Sequence, residues 1–390
     1  MKKEDKVVYY IGFYGDQQSF EENRYLAPSA VNKMGYIAKS MSSTGAKVKI
    51  LSMAWIKKTE NRYFSYKSSR CFYLDDSVEC LTLFSFISKF KVFEYLSMLF
   101  NKIWLIVFLL LKIKSDDVVV VYHSPFYFRT LLYLSKIRKI NITLEIEEVY
   151  SKVFAVNKKS AGLEYKVINC ASSYLLSNDL MKESLGLLNK KTIIIYGVYE
   201  PVLQESTTIF NDGKIHVVYA GVIDKLKRGA FNAVEASKFL SNRYVLHVLG
   251  FGLDDDISDL KRLIIDINVC EDYQCEVVYE GKKLGDEYIN FIKSCHIGLS
   301  TQRNDGEYLL YTFPSKILSY LTLGVRVVTG DMLCLRESSI DDLLKYYESD
   351  NPADIADAIS KINISEDFEG IRVINDLDKR FREEVKELIW

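Results

Sequence analysis

A basic turn in the second half of the chain could bind a phosphate group. Gly221 stands at the end of a predicted strand, and Lys225, Lys227 and Arg228 follow it just before a predicted helix. A glycine lets a phosphate approach the backbone, and the start of a helix offers free N–H groups and a positive dipole end. The cations add the charge that a diphosphate requires, so the segment predicts a diphosphate contact in preference to an ordinary structural turn.

A second anion site is predicted further along the chain. Pro314 suits the start of a helix, with Ser315 and Lys316 in its first turn, although a capped amphipathic helix without a ligand is the alternative. The polar segment 301–307 before it is long enough to surround a sugar. Gly250 begins a Gly-Phe-Gly sequence, which is equally consistent with a tight turn and with a ligand contact.

Polar residues also follow predicted strands in the first half of the chain. His123 follows a valine-rich strand, and Glu147 and Glu148 lie just past the end of the next one. Carboxylates in that position can bind acceptor hydroxyl groups or act as a base, and a solvated strand edge is the alternative. Asn32 and Lys33 follow a long polar loop that opens toward the same side, which predicts a role in acceptor binding.

These residues need elements that hold them at the edges of sheets. Apolar spacing predicts a strand–helix–strand unit near the N-terminus, and the alternation of strands and helices continues to residue 196. Turn-rich residues interrupt it at 197–213, after which it restarts and runs to residue 328. The sequence therefore predicts an α/β protein with two Rossmann-like, doubly wound parallel-sheet domains that face a cleft, where ligands bind beyond the carboxyl ends of the strands.

The same pattern sets the domain boundaries. We expect an N-terminal domain over 1–197, a linker over 198–213 and a C-terminal domain over 214–365. The remaining segment, 366–390, is predicted to be a helix that could pack back on the N-terminal domain.

The composition argues against several classes of protein. The 390 residues carry a formal net charge of −1, so no binding to nucleic acid is expected. The seven cysteines are scattered without a CxxC pair, which predicts free thiols in a reducing compartment and no metal site. The N-terminus lacks the pattern of a signal peptide, so we expect a cytoplasmic protein.

The most apolar segment, 90–114, allows three interpretations. Its central apolar run, 103–111, is about half of the ~20 residues that span a bilayer. A core helix of the first domain is the favoured prediction. An interfacial helix with flanking lysines, in peripheral contact with the cytoplasmic face of the membrane, is the second, and a transmembrane span is the third.

Several motifs occur together in a recognisable order. They are Tyr-Ala-Gly and Lys-Arg-Gly within 219–229, Leu-His-Val-Leu-Gly-Phe-Gly at 246–252, Val-Tyr-Glu-Gly at 278–281 and Phe-Pro-Ser-Lys-Ile-Leu-Ser-Tyr-Leu-Thr-Leu-Gly at 313–324. In these residues the chain resembles the GT-B glycosyltransferases of family four, the "group 1" transferases of bacterial capsule and lipopolysaccharide synthesis. The resemblance extends over 214–330 in order and spacing, and over 1–196 mainly in topology.

This resemblance implies roles for the residues that match the motifs. The C-terminal domain would bind the nucleotide-sugar donor, with its diphosphate held by Gly221, Lys225, Arg228, Ser315 and Lys316. Tyr279 would border the base, Gly250 would lie on the donor side, and His123 would face the donor sugar as a catalytic-site residue. The resemblance also implies retention of anomeric configuration, no essential metal and no cofactor besides the donor.

The chain departs from the family at two acidic positions. Ser319 stands where the family has a glutamate on the donor ribose, and Tyr311 stands at the other acidic position of the motif. Glu307, in the loop before the helix, is the candidate to replace one of them as a catalytic carboxylate.

The sequence therefore predicts transfer of a sugar from a nucleotide diphosphate, UDP being the expected nucleotide, to a glycan acceptor. The resemblance implies a lipid-linked acceptor and a place in capsule, O-antigen or other surface polysaccharide synthesis. Two other functions stay open on the same scaffold. One is a nucleotide-sugar epimerase, and the other is a non-catalytic subunit that chaperones or activates a partner enzyme.

Overall fold

The computed structural model describes residues 6–57, 64–138, 140–154, 156–200, 210–301 and 310–390. The chain divides into two compact units. Unit 1 comprises Met1–Ser177, Met181–Val198 and Lys379–Trp390, and unit 2 comprises Asn178–Leu180 and Tyr199–Asp378.

Unit 1 is built on a mostly parallel sheet. Its strands are β1 (Val7–Gly12), β2 (Lys47–Ser52), β3 (Phe64–Lys67), β4 (Arg70–Asp75), β5 (Val78–Thr82), β6 (Ser85–Ser88), β7 (Val118–Tyr122), β8 (Ile142–Ile146), β9 (Ser173–Leu176) and β10 (Lys191–Ile194). The main sheet has the order β10-β9-β8-β7-β1-β2-β5-β4, and β3 pairs with β6 as a separate antiparallel ribbon. Only β4 runs antiparallel to its neighbour in the main sheet.

The valine-rich run forms the centre of this sheet, as its sequence predicts. Val119, Val120 and Val121 are buried because β7 is covered on both faces, which is why an unbroken apolar run suits this strand. In register, Val8 of β1 lies opposite Val118 of β7. The sheet extends from β1 through β2 in one direction and from β7 through β8 in the other, so the strand order reverses between β1 and β7.

Helices cover unit 1. They are α1 (Gln17–Glu21), α2 (Pro28–Ser42), α3 (Lys91–Lys112), α4 (Phe128–Ile137), α5 (Tyr150–Val153), α6 (Lys158–Cys170) and α7 (Leu180–Ser184). The periodic apolar face of α2 is buried, as predicted, and includes Met34, Ile37 and Met41. The end of the last helix of the chain also belongs to this unit, where the Phe381 ring stacks on Tyr36 with centroids 5.6 Å apart.

Helix α3 differs from its favoured prediction as a core helix. Its buried residues are Ser97, Asn101, Leu105 and Leu109, which form a narrow stripe. Its other apolar residues are either half-buried, such as Trp104 and Phe108, or exposed, such as Leu99 and Ile103. By length and composition α3 would be able to cross a membrane, although the same properties occur in other kinds of helix. The sequence could not separate the buried stripe from the exposed face, because hydropathy reports how apolar a helix is and not whether anything packs on it.

Unit 2 is a second doubly wound sheet. Its strands are β11 (Ile215–Ile223), β12 (Tyr244–Gly252), β13 (Glu276–Gly281), β14 (Ile297–Ser300), β15 (Arg326–Gly330) and β16 (Leu344–Tyr347). All pairs are parallel, in the order β13-β12-β11-β14-β15-β16. The helices that follow are α8 (Gly229–Ala236), α9 (Asp254–Asn268), α10 (Gly285–Ser294), α11 (Lys316–Leu321), α12 (Leu333–Arg336), α13 (Pro352–Ser360) and α14 (Gly370–Ile389).

Two local differences from the sequence-based assignment matter for the site. Strands β11 and β12 continue past the expected ends, so Gly221 and Gly250 pair with each other inside the sheet and do not lie in turns after it. The helix predicted from Pro314 is shorter and begins at Lys316. Gly324 ends this segment with a positive φ of 75°, as its position suggested.

Candidate functional site

The carboxyl edge of the unit 2 sheet has a switch point between β11 and β14, where the strand order reverses. Thr301 follows β14 there, and its hydroxyl donates a hydrogen bond of 2.6 Å to the carbonyl oxygen of Gly229 at the start of α8. The Asn232 side chain donates to the Thr301 carbonyl oxygen over 3.5 Å. These bonds hold the start of α8 beside the end of β14, which is where ligands bind in doubly wound sheets.

Lys316 extends from the start of α11 to Gly221. Its Nζ lies 4.1 Å from the centre of the Tyr219 ring. A Cβ atom on residue 221 would overlap this Nζ, so the amine can occupy this position only because residue 221 has no side chain, and it would have to move otherwise. Burial, with a smaller effect from the charge of Lys227, lowers the pKa of the Lys316 amine to about 8.

The charge at this edge has no counter-ion within the described part of the chain. Neither Lys316 nor Lys227 has a carboxylate within ion-pair distance among those residues. The Lys316 amine is half-buried and feels the charge of Lys227, and both effects disfavour its protonated form. A bound anion would stabilise that protonated form. The edge therefore has the charge of an anion site, with the Lys316 amine held against the backbone of Gly221.

The other two cations of the turn point elsewhere. The Lys225 amine forms an ion pair with Asp259 of α9. The Arg228 guanidinium lies 2.8 Å from Glu235 and also donates to Asn232, so it folds back along α8. Its backbone has a φ of 55°, the left-handed region, at the cap of α8. Both residues were predicted to hold the diphosphate, whereas Lys227, the cation left without such a partner, was not singled out.

Gly250 and Tyr279 continue the same edge beyond β11. A Cβ on residue 250 would collide with the carbonyl oxygen of Gly221, so this glycine serves the close pairing of the two strands. The Tyr279 hydroxyl donates to the Gly250 carbonyl oxygen over 3.4 Å. Tyr279 therefore lies beside the predicted donor residues, as a border of the base would require.

The predicted residues on and just before α11 differ in their exposure. Ser315 and Ser319 are exposed, and Tyr311 is buried. Ser319 lies three residues after Lys316, on the same side of the helix. Glu307 lies outside the described residues.

In unit 1, His123 is a buried residue. Its Nδ1 lies 3.1 Å from the Glu148 carbonyl oxygen and donates to it, and its Nε2 lies 3.4 Å from a carboxylate oxygen of Glu164. That carboxylate accepts hydrogen bonds of 2.8 Å from the amides of Tyr150 and Ser151. Burial lowers the pKa of the imidazole to about 4, so it is neutral at pH 7. His123 therefore positions the segment after β8, and in this structure it has no exposed surface through which a ligand would touch it.

A second polar group lies at the end of β8. Lys33 Nζ is 2.6 Å from Glu147, and the Tyr10 hydroxyl donates a 2.5 Å hydrogen bond to Glu145. Burial, reinforced by the Glu147 charge, raises the pKa of Glu145 to about 8. Of the two carboxylates, Glu147 is partly exposed and Glu145 is buried. The buried Lys33 side chain contacts Glu147. Asn32, the other predicted acceptor residue, is exposed, so it does not share this buried contact.

The sequence interpretation missed an aromatic cavity of ≈ 560 Å³ in unit 1. Phe13 follows β1 and Tyr122 ends β7, so the cavity lies at the switch point of this sheet. Its aromatic lining consists of Phe13, Tyr25, Trp55, Tyr122, Phe126 and Tyr150. The sequence does contain a signal for this cavity, namely aromatic residues just after the first two strands. The carboxyl ends of strands converge at one edge of a doubly wound sheet, so such residues are expected to meet there.

Comparison with known proteins gives a structural likeness only. No protein-family model matches the chain, and no curated protein matches its sequence. Among solved structures, a trehalose-6-phosphate synthase has a TM-score of 0.69 at 10% identity, with 98% of each chain covered. The E. coli trehalose-6-phosphate structure bound with UDP-2-fluoro glucose has a TM-score of 0.66 at 10% identity, again with 98% of each chain covered. Sucrose-phosphate synthase from Thermosynechococcus elongatus has a TM-score of 0.62 at 12% identity, covering 98% of this chain and 95% of the other.

These structures match nearly the whole chain, with TM-scores of 0.62 to 0.69. The predicted fold class is confirmed. The chain has the GT-B fold of these glycosyltransferases.

Proposed function

We propose that this protein is a glycosyltransferase that takes its sugar from a UDP-sugar. The observation that carries the proposal is the Lys316 amine, which lies against Gly221 and feels the charge of Lys227. Neither cation has a carboxylate partner in the described residues. A diphosphate is the ligand that two cations without carboxylate partners fit best. The bound UDP-2-fluoro glucose of one structural neighbour supports a UDP-sugar as the donor.

The chemistry follows from the charge of the leaving group. When the bond between the sugar and the diphosphate breaks, negative charge develops on the UDP that leaves. Lys316, held against the Tyr219 ring, is already oriented toward that charge and does not have to reorganise. Retention of configuration and independence of metal are implied by the family resemblance, and both stay predictions.

The acceptor is proposed to be a lipid-linked glycan of surface polysaccharide synthesis. The support comes from α3, whose exposed residues include Leu99, Phe100 and Ile103, with Lys91 at one end. An apolar helix surface with cations beside it binds the interface of a membrane that contains anionic lipids. This arrangement would keep the protein at the cytoplasmic face of the membrane, where a lipid-linked acceptor is available.

Binding of UDP to the Lys316→Met variant tests the donor site. We expect the variant to lose about 1–3 kcal/mol of UDP binding, because a charge-assisted contact is removed while the aliphatic stem remains. The matched control is Lys225→Met, a lysine of the same turn whose amine is already paired with Asp259. Its UDP affinity should stay close to that of the unmodified protein. Isothermal titration calorimetry measures both.

Two results would overturn the proposal. The first is no measurable binding of UDP or GDP to the unmodified protein. The second is an equal loss of affinity in both variants, which would mean that general charge, and not the Lys316 site, attracts the nucleotide. Product analysis with a UDP-sugar and no acceptor then separates a transferase from an epimerase, since only the epimerase changes the sugar configuration of the donor.

A further inference from the structure

Three of the four histidines of the chain lie together in unit 2. His216 is near the start of β11, whereas Gly221 of the proposed donor site is near the end of the same strand. His247 lies on the neighbouring strand β12, and His296 comes just before β14. The proposed transfer of a sugar makes no use of these three buried or half-buried rings.

We propose that His216 and His247 share one proton between two carboxylates. The carboxylates belong to Asp212 and Glu280. Loss of this proton as the pH rises releases residues 210–212, at the end of the predicted linker, from strands β11 and β12. This pH-sensitive contact is separate from the proposed function, and its tests need no nucleotide.

The four side chains form one row of short contacts. His216 Nε2 lies 3.0 Å from Asp212 Oδ1, and His216 Nδ1 lies 2.9 Å from His247 Nε2. His247 Nδ1 lies 2.9 Å from Glu280 Oε1. All three distances are those of hydrogen bonds, and each hydrogen bond requires one hydrogen.

The hydrogens in this row can be counted. Two neutral imidazoles carry one N–H each, so they supply two hydrogens for three contacts. Asp212 supplies none at neutral pH, because its contacts with His216 and with the Lys214 amide hold its pKa at about 2. Lys283 Nζ lies 3.7 Å from the other oxygen of Glu280, so this carboxyl also acts as an acceptor. The third hydrogen is therefore the shared proton, and the histidine pair carries one positive charge.

The surroundings favour one proton on the pair and disfavour a second. The Phe210 ring stacks on His216 with centroids 3.8 Å apart and on His247 with centroids 4.8 Å apart, and an aromatic face attracts a cation. Burial lowers the pKa of His247 despite the contact with Glu280, and the charge of His216 acts in the same direction. A second proton would therefore be bound only at a more acidic pH.

Other charged and titratable groups face the pair without joining the row of contacts. His296 Nδ1 accepts a hydrogen bond of 3.0 Å from the His216 amide, so this nitrogen carries no hydrogen. Burial, followed by the charges of His216 and Arg326, lowers the pKa of His296, which is therefore neutral at pH 7. The remaining groups nearby are two ion pairs and one buried thiol, namely Lys214 with Glu276, Lys283 with Glu287, and Cys295.

Loss of the shared proton leaves two hydrogens for three contacts, so one contact must break. Asp212 is the group that leaves, because its side chain is 47% exposed and water can replace His216 as its partner. The same oxygen of Asp212 accepts a 3.0 Å hydrogen bond from the Lys214 amide, which becomes unprotected when Asp212 moves. The proton thus binds more tightly while Asp212 is in place, and a rise in pH favours the released form of residues 210–212.

NMR spectroscopy of the full chain with 15N-labelled histidines tests the proposal, because imidazole nitrogens report tautomer and charge directly. We expect the His216 and His247 signals to change together, with loss of one proton, as the pH rises from 6 to 9. The signals of His123 and His296 should remain those of neutral rings. If His216 and His247 are both neutral at pH 6, or if their signals do not change up to pH 9, the proposal is wrong.

Hydrogen exchange measures the release of the segment. After correction for the intrinsic effect of pH on exchange, we expect the amides of residues 210–214 to exchange about tenfold faster at pH 9 than at pH 6. The amides of β12 should show no such difference. Equal protection of residues 210–214 at the two pH values would contradict a contact held by the proton.

The variant His247→Gln separates the proton from the contact that it supports. The glutamine amide supplies a hydrogen to His216 Nδ1, so a neutral His216 keeps its contact with Asp212 and exchange at 210–214 no longer depends on pH. The matched control is His296→Gln, at a histidine beside His216 that does not belong to the row, and its pH dependence should persist. A pH dependence that survives in His247→Gln would assign the titration to another group and overturn the proposal.

Asp212→Asn tests the same row at an exposed position, where the fold tolerates the change. Removal of this carboxylate charge should lower the pH at which the pair loses its proton by about one unit in the NMR titration. An unchanged titration would show that Asp212 does not stabilise the proton, contrary to the proposal.

Discussion

At the scale of single residues, the unusual titration of Lys316 makes nucleotide binding depend on pH. Its pKa near 8 means that a substantial share of the amines are neutral in the free protein at pH 8. A bound diphosphate favours the charged form and so raises this pKa. Binding must therefore take up a proton in the pH range between the free and bound values.

We expect UDP affinity to fall as the pH rises from 7 to 9, about tenfold per unit at most, because the free protein must first be protonated. Calorimetry at pH 8 in buffers of different ionisation enthalpy measures the proton uptake directly. In Lys316→Met the uptake should disappear, and in Lys225→Met it should persist. Proton uptake that is unchanged in Lys316→Met would assign the titration to another group.

Residue roles are the part that sequence motifs predict least well. The motif pointed to the cations at 225 and 228, yet Lys225 pairs with Asp259 and Arg228 with Glu235. These partners come from α9 and from the next two turns of α8, so the available cation is decided by packing. His123 illustrates the same limit, because a strand-end position does not reveal whether a side chain turns inward.

At the scale of elements, helix α3 has an exposed apolar face, for which we propose a contact with a membrane. Leu99 is 52% exposed and Ile103 is 48% exposed, although both are large aliphatic residues in the middle of the helix. Transfer of such side chains into a membrane interface is favourable in proportion to the apolar area that leaves water. The exposed face is therefore expected to bind lipid vesicles.

We predict that the double variant Leu99→Gln, Ile103→Gln binds vesicles of phosphatidylglycerol and phosphatidylcholine at least tenfold more weakly. Each change removes about 1 kcal/mol or more of apolar transfer energy at a half-exposed position. Co-sedimentation with the vesicles provides the measurement. The control is Ile265→Gln, Val269→Gln, at residues that are 60% and 73% exposed in unit 2. Vesicle binding that falls equally in both double variants would contradict a specific role of α3.

At the scale of the whole molecule, the fold was predictable because its signals are local. Buried parallel strands appear as short apolar runs such as β7, and helices such as α2 show their own period, so the succession of elements can be read without tertiary information. The ribbon of β3 and β6 was missed because alternation over four residues is too short to stand out. The aromatic cavity was missed for a different reason, since its walls come from separate strand ends that only the sheet order brings together.

Each unit therefore has its own switch point with its own chemistry, cationic between β11 and β14 in unit 2 and aromatic between β1 and β7 in unit 1. Hydrogen exchange with mass spectrometry separates the two. We expect saturating UDP to protect the end of β11 and the turn 224–228 most strongly, because a ligand that binds the folded state at 100 times its Kd stabilises it by about 2.7 kcal/mol. Strongest protection by UDP at Phe13 and Trp55 would place the nucleotide in unit 1 and reverse the assignment of the two sites.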